Sequence, residues 1–161
     1  MLAEGWNGVQ WTILTTPEPA GTTQSTLAGV SCAPASGCVA VGAATIAGTD
    51  VQSLAEGWNG SQWTIEPTPT LAAPELNAVS CPAAGECTAV GSYDTYGDTG
   101  DPLAEAWNGT AWSVDSTPSP KGRTVTMLEG ASCMSAVSCE AVGYSQDKDA
   151  HEHTLAEGAT T

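Results

Sequence analysis

The chain has 161 residues and a mass of 16.2 kDa, which is one domain's worth of sequence, and it contains six Trp but no Phe. Three Lys and Arg against 18 Asp and Glu give a formal net charge of -15. This charge excludes a nucleic-acid surface, which needs clustered basic residues, and disfavours anionic membranes. No apolar run approaches the roughly 20 residues of a membrane span.

A seven-residue phrase, Leu-Ala-Glu-Gly-Trp-Asn-Gly, begins at Leu2 and recurs along the chain. It returns at Leu54, and again at Leu103 with Ala106 in place of the first glycine. A truncated copy starts at Leu155, so the starts are 52, 49 and 52 residues apart. A fixed period of this size indicates a repeat architecture.

Each copy of the phrase begins a predicted hairpin, which we call the outer pair of strands. In the first copy, residues 2–6 and 11–13 alternate in polarity and are rich in aromatic or β-branched residues. Asn7 and Gly8 lie between them, and Asn-Gly between alternating runs is the strongest local signal for a hairpin. A two-residue turn at this dipeptide would place Glu4 opposite Trp11.

A Cys-x5-Cys motif predicts a second hairpin in each unit, the inner pair of strands. In the first unit, residues 27–32 and 38–41 flank a short loop that contains Gly37. The second Cys lies 16 residues before the next Leu-Ala-Glu in every unit. No stretch repeats apolar residues with a period of 3.6 over helical length, so we expect four strands per unit and no helix.

The six cysteines pair without remainder, which predicts three local disulfides. The pairs are Cys32 with Cys38, Cys81 with Cys87, and Cys133 with Cys139. Zinc is the alternative, but zinc sites favour Cys-x2-4-Cys clusters with four ligands, whereas each pair here belongs to a different sheet. Because disulfides persist in oxidising compartments, we expect a secreted or cell-surface protein.

The whole chain, residues 1–161, is interpreted as one repeat domain that is cut out of phase. Its parts are an outer hairpin (1–17), two units (26–69 and 75–118), and an inner hairpin with a partial outer strand (126–159). Proline-rich connections lie between them. The N-terminal outer pair could complete the C-terminal inner pair, giving three four-stranded sheets closed by strand exchange. No signal peptide precedes Met1, so an excised fragment is expected.

The combined pattern resembles tandem repeats in secreted proteins of high-GC Gram-positive bacteria. It runs Leu-Ala-Glu-x-Trp-Asn-Gly-x-x-Trp, then Thr-Pro, then Val-Ser-Cys-x5-Cys-x-Ala-Val-Gly, and covers almost the whole chain. The resemblance implies a β-propeller with one four-stranded blade per repeat, in which the three Cys pairs are intra-blade disulfides. The fourth copy departs from the pattern, since Ala159 stands where Trp is expected. The resemblance implies no particular activity.

Three blades are too few for a closed propeller, which typically has 4 to 8. Two chains would supply six, so we expect a homodimer that forms a six-bladed ring. If the angle between chains does not close, the same contact would make filaments. The alternative is a closed monomer, either a β-trefoil or a β-prism built from three repeats.

The repeated Glu and Trp residues are the candidate ligand-binding residues. Flat aromatic faces stack on sugars, and a carboxylate among them could be a polar anchor; alternatively, the Trp residues form the core and the Glu organises each blade through hydrogen bonds. The set is Glu4, Trp6, Trp11, Glu56, Trp58, Trp63, Glu105, Trp107 and Trp112. Glu157 is the fourth acid in register.

No metal, cofactor or catalysis is expected. The acidic loops at residues 93–101 and 146–153 could attract Ca²⁺ or, through His151 and His153, a transition metal. However, the equivalent loop of the first unit, residues 44–53, has only Asp50. No nucleophile with an oriented base is apparent.

Two functions therefore stay open from the sequence. The first is a secreted, non-catalytic binding module, with glycans or a surface protein as partner. The second is a self-assembling scaffold whose partner is another copy of itself.

Overall fold

A computed structural model describes residues 1–33, 37–48, 51–94 and 100–160 of the chain. These residues form thirteen β-strands and no helix, so the all-β prediction is confirmed, and nothing in these ranges is a helix capable of crossing a bilayer. The strands are β1 (Ala3–Trp6), β2 (Trp11–Leu14), β3 (Thr22–Ala33), β4 (Gly37–Ile46), β5 (Val51–Trp58), β6 (Trp63–Glu66), β7 (Glu75–Ala83), β8 (Glu86–Asp94), β9 (Gly100–Trp107), β10 (Trp112–Asp115), β11 (Arg123–Ser135), β12 (Ser138–Asp147) and β13 (Glu152–Thr160).

The strands form four antiparallel sheets in which every neighbour in space is also a neighbour in sequence. Sheet 1 is β1–β2, sheet 2 is β3–β4–β5–β6, sheet 3 is β7–β8–β9–β10, and sheet 4 is β11–β12–β13. The two whole repeats are therefore four-stranded sheets, each with an inner pair around the cysteines and an outer pair around Asn-Gly, as predicted.

The third predicted four-stranded sheet has only three strands among the described residues. Its third position is taken by β13, which sets Glu157 opposite Ala141 just as β5 sets Glu56 opposite Ala40. β1 pairs only with β2 in the described residues. The reason is chain connectivity: β13 follows β12 through a short loop, so its pairing needs little loop-closure entropy.

Consecutive sheets pack face to face through their first strands, β3 on β7 and β7 on β11. A Cβ added at Gly29 would lie 3.0 Å from the Cα of Ala78, so the two backbones approach closely there. The larger core, around Val41 and Leu76, lies between sheets 2 and 3, and a smaller one around Leu128 lies between sheets 3 and 4. The described residues form no closed barrel, so the β-trefoil alternative is not formed.

A β-bulge explains the glycine of each Ala-Val-Gly run. The register of the first strand shifts at Leu27/Gly29, and the same shift recurs in β7 and β11. Gly42 lies opposite the first bulge, and a Cβ there would overlap the carbonyl oxygen of Thr26. Gly91 and Gly143 stand in the same relation to β7 and β11. The bulge thus requires a residue without a side chain on the second strand.

Serine hydroxyls tie each sheet to the next. Ser31 Oγ accepts a hydrogen bond from the backbone N–H of Cys81 at 3.0 Å. Ser80 Oγ accepts the equivalent bond from Cys133, also at 3.0 Å. The serine of the Val-Ser-Cys motif is therefore an inter-sheet acceptor, a role that spacing alone did not indicate.

All three predicted disulfides are formed, and the chain has no free cysteine for a zinc site. Each joins directly opposed strands of one inner hairpin across a sequence separation of 6. They differ in burial, because Cys81 and Cys87 are 7% and 6% exposed whereas Cys32 is exposed. Three disulfides indicate an oxidising environment.

We expect replacement of both Cys81 and Cys87 by Ala to lower the free energy of unfolding by about 2 kcal/mol through the lost cross-link. A further loss arises because the sulfurs pack between sheets 2 and 3. The matched pair Cys32→Ala and Cys38→Ala removes an equal loop but less buried volume, so its cost is smaller. Urea unfolding of both double variants measures the difference, and equal costs would contradict the burial argument.

Candidate functional site

The loop of each outer hairpin has four residues, so the predicted two-residue Asn-Gly turn is wrong. Trp6 lies directly opposite Trp11, and Glu4 lies opposite Ile13 rather than Trp11. The reason is the Asn side chain: Asn7 Oδ1 accepts hydrogen bonds from the N–H groups of Val9 and Gln10 at 2.9 and 3.0 Å. Asn59 and Asn108 organise their loops in the same way.

This register brings the two Trp rings of each hairpin into contact. Ring centroids lie 5.7, 5.5 and 5.6 Å apart in chain order, with the planes tilted by 46°, 46° and 37°. Tilted aromatic pairs at such distances are favourable beyond the area they bury. The same arrangement of two Trp rings therefore recurs in every outer hairpin. The pairs are Trp6–Trp11, Trp58–Trp63 and Trp107–Trp112.

The burial of the second Trp depends on whether a preceding sheet covers it. Trp112 is 6% exposed and packs in the core between sheets 2 and 3, and Trp63 is 9% exposed. Trp11 has no preceding sheet and is 64% exposed, and Trp6 is 54% exposed. Among the predicted ligand-binding residues, Trp63 and Trp112 thus lie in the core, while Trp58 and Trp107 are half-buried.

A carboxylate on the preceding sheet receives the indole N–H of the buried Trp. Trp112 Nε1 donates to Glu66 Oε2 at 2.9 Å, and burial raises the pKa of Glu66. Leu14 occupies the position equivalent to Glu66 in sheet 1, and the buried Nε1 of Trp63 has no partner in the described structure. Glu66 is not among the site residues predicted from the sequence; its signal is its place three residues after the second Trp.

The acid of the Leu-Ala-Glu phrase is buried in both complete sheets. Glu56 and Glu105 are each 0% exposed, and burial raises the pKa of each carboxyl to about 7. Glu105 Oε1 accepts a hydrogen bond from Ser53 Oγ on the preceding sheet at 3.2 Å. Across the described ranges, the second oxygen of Glu105 and both oxygens of Glu56 lack a partner. Glu4, on the uncovered hairpin, is exposed.

The Glu and Trp residues consequently do not converge on one pocket. A groove of about 290 Å³ opens between sheets 2 and 3 beside the Asn-Gly loops. The half-buried rings of Trp58 and Trp107 line it, together with Asn59, Thr64 and Glu66. This groove combines aromatic surface with polar groups, whereas Glu56 and Glu105 are not part of its lining.

The two outermost faces of the row of sheets expose residues whose counterparts are buried. Val30 on sheet 2 is 63% exposed, although its counterpart on sheet 3, Val79, is 7% exposed. Val142 on sheet 4 is 53% exposed, although its counterparts Val41 and Val90 are 0% and 2% exposed. In the internal interfaces these residues pack against the neighbouring sheet, so the end faces carry the same apolar chemistry uncovered.

The acidic loop of sheet 4 gathers two carboxylates and two imidazoles. Ligand atoms of Asp147, Asp149 and His151 lie within 4.8 Å of one another, and His153 Nε2 lies 3.3 Å from Asp147 Oδ2. Hydrogen bonds, chiefly from the backbone N–H of His151, lower the pKa of Asp147 to about 2. These side chains are mostly exposed and occur in one unit only. The compared loops of the other units include residues 49–50 and 95–99, which lie outside the described residues.

Comparison of the sequence with models of protein families and with curated proteins gives no significant match.

The buried acids predict a stability that falls as pH rises. Glu105 titrates near 7 when folded against 4.5 for an ordinary Glu, so the folded chain holds its proton more tightly between these values. Glu105→Gln should reduce the loss of unfolding free energy between pH 4.5 and 8, by at most about 3 kcal/mol. Urea unfolding at several pH values measures this. Glu4→Gln, at the exposed equivalent, should leave the profile unchanged; identical profiles for both variants would contradict the assignment.

Proposed function

We propose that this chain is a non-catalytic, self-assembling part of a β-propeller, in which two copies close into a six-bladed ring. One observation carries the proposal: sheet 1 is an outer hairpin with exposed Trp rings, and sheet 4 has an inner pair without such a hairpin. A second copy would offer each incomplete sheet what it lacks. The blades would be sheets 2 and 3, and sheet 4 completed by the partner.

The end faces support the same arrangement. Exposed Val142 and exposed Val30 stand in positions that pack across the internal interfaces, as Val41 and Val79 do between sheets 2 and 3. If the serine contact between consecutive sheets also forms between the copies, Ser132 Oγ of one copy would accept a hydrogen bond from the backbone N–H of Cys32 in the other. The contact between two copies would then consist of an apolar strip with a hydrogen bond at its edge, as the interface between sheets 2 and 3 does.

Assembly would take place in an oxidising compartment, which the three disulfides require, and secretion or display at the cell surface is part of the proposal. Both copies carry a formal charge of -15, so their approach is opposed by electrostatic repulsion at low ionic strength. Added salt screens this repulsion and should strengthen association.

Light scattering and sedimentation equilibrium at several salt concentrations test the ring. The expected mass is twice the 16.2 kDa of the chain, with a dissociation constant that falls as salt rises. A strictly monomeric chain at all concentrations would exclude self-assembly. A ladder of larger species would show that the contact forms but leaves the ring open.

Carbohydrate binding is a second candidate, favoured by the groove between sheets 2 and 3. There, Trp58 and Trp107 present half-buried rings beside Thr64 and Glu66. Rings of this kind stack on sugar faces, and the polar groups could accept or donate hydrogen bonds to hydroxyls.

A glycan array followed by calorimetry tests this second candidate. Glu66→Gln should weaken binding of a captured glycan by about tenfold or more if the carboxylate bonds to it. Glu129→Gln, at an exposed acid of sheet 4 outside the groove, is the control and should bind as the wild type does. A blank array, or equal effects of the two variants, would remove the groove as a sugar site.

A further inference from the structure

Part of the lining of a groove between sheets 3 and 4 matches the core between sheets 2 and 3, and Glu157 and Gly158 of β13 line it as well. On sheet 3 it is lined by Val90 and Ala104, and on sheet 4 by Leu128, Ala131 and Ala141. The counterparts of these residues surround Trp112 in the internal core; they are Val41, Ala55, Leu76, Val79 and Ala89. The walls of a Trp site are therefore repeated between sheets 3 and 4.

This second copy of the site holds no Trp. It is a groove of about 130 Å³. Among the described residues sheet 4 has no fourth strand. In its third strand Ala159 lies opposite Cys139, where Trp58 lies opposite Cys38 and Trp107 opposite Cys87. The small core around Leu128 reflects this missing volume, since two aromatic rings are lost from one interface.

The hairpin that would fill the groove is present at the other end of the chain. The rings of Trp6 and Trp11 lie 5.7 Å apart, against 5.6 Å for Trp107 and Trp112, so the pair is already shaped for such a site. Both rings are more than half exposed, at 54% and 64%. Exposing two adjacent Trp rings is unfavourable, and their burial against apolar walls drives association.

We propose that the β1–β2 hairpin of a second copy enters this groove, with its Trp11 in the position that Trp112 takes in the internal interface. The inference rests on the proposed function and assigns the surfaces that make the ring. Each copy gives its hairpin and receives one, so the two junctions are the same. The partner is a second copy because only a hairpin of this repeat carries the matching Trp pair and register.

Sheet 3 offers an acceptor for the indole N–H of the entering Trp11. Asp115 stands three residues after Trp112, in the position of Glu66, and Glu66 accepts the N–H of the Trp that packs on its sheet. Asp115 is exposed in the single chain. Trp11 of the second copy would bury its ring between sheets 3 and 4 and donate to the Asp115 carboxylate.

Strand β13 must leave its place for this to happen. It pairs with β12 from Glu152 to Thr160, and its residues Leu155–Gly158 repeat the sequence of Leu2–Gly5. Entry of β1 would set Glu4 opposite Ala141, where Glu157 now lies. β13 pairs with β12 over more residues than β1 contains, so the gain has to come from the two Trp rings and the fourth strand that arrive with β1.

Sedimentation equilibrium of Trp11→Ala against Ile13→Ala tests the contact. Trp11 is exposed in the single chain, so its loss should leave the fold intact but weaken the dimer by about tenfold or more. Ile13 is 75% exposed, and its counterparts Ile65 and Val114 stay exposed within the row of sheets, so Ile13→Ala should dimerise as the wild type does. A dimer that Trp11→Ala leaves unchanged would overturn this inference while the ring proposal stood.

A second pair of variants tests the displacement of β13. Leu155→Pro removes an N–H that faces β12, which should release β13 and tighten the dimer. Leu2→Pro makes the equivalent change in the entering strand and should weaken the dimer. Weakening by both variants would show that β13 stays in place, which overturns the displacement. A wild-type chain that is monomeric at every concentration would remove both the inference and the proposed function.

Discussion

Every part of this fold depends on one constraint: a four-stranded sheet rich in Ala, Val, Gly and Ser cannot bury its own faces. Each sheet must lie against another, and between sheets 2 and 3 the ring of Trp112 is part of the core. Trp112 shows the complete arrangement, with apolar residues of two sheets around the ring and Glu66 bonded to its N–H. Sheets 2, 3 and 4 therefore form a row in which each sheet needs its neighbours. At one end sheet 2 has only the two-stranded sheet 1 beside it, and at the other end no further sheet covers sheet 4 among the described residues.

The same constraint decides the environment of the repeated acid. Glu56 and Glu105 are buried because a sheet covers them, whereas Glu4 is exposed because none does. Burial holds the pKa of a carboxyl near 7, so covering such a group favours its protonated form. Under the proposed assembly, Glu4 would take the position opposite Ala141 that Glu157 now holds. Lower pH would favour the ring by reducing the negative charge of each copy.

Much of the fold follows from the sequence because its signals are local and repeated. The period, the two hairpins per unit and the Cys pairs all concern residues close together in the chain. The turn at Asn7 was predicted wrongly because the Asn side chain bonds to two loop N–H groups, which stabilises a longer loop than the dipeptide signals. The difference between Trp11 and Trp112 could not be predicted from their identical motif, since it depends on which sheet comes before. The bulge opposite Gly42 could not be predicted for a similar reason, since the backbone that leaves no room for a side chain at Gly42 belongs to another strand.

The placement of the disulfides has a consequence for how many repeats such a chain can carry. Six cysteines allow 15 ways of pairing, and the number rises steeply with each further pair. Here each partner is only 6 residues away on the same hairpin, and none of the three disulfides joins two sheets. In every unit, the correct partner of a cysteine is therefore also the nearest cysteine in the sequence. Repeats can be added or lost without creating a new pairing problem, so oxidation sets no limit on the length of the array.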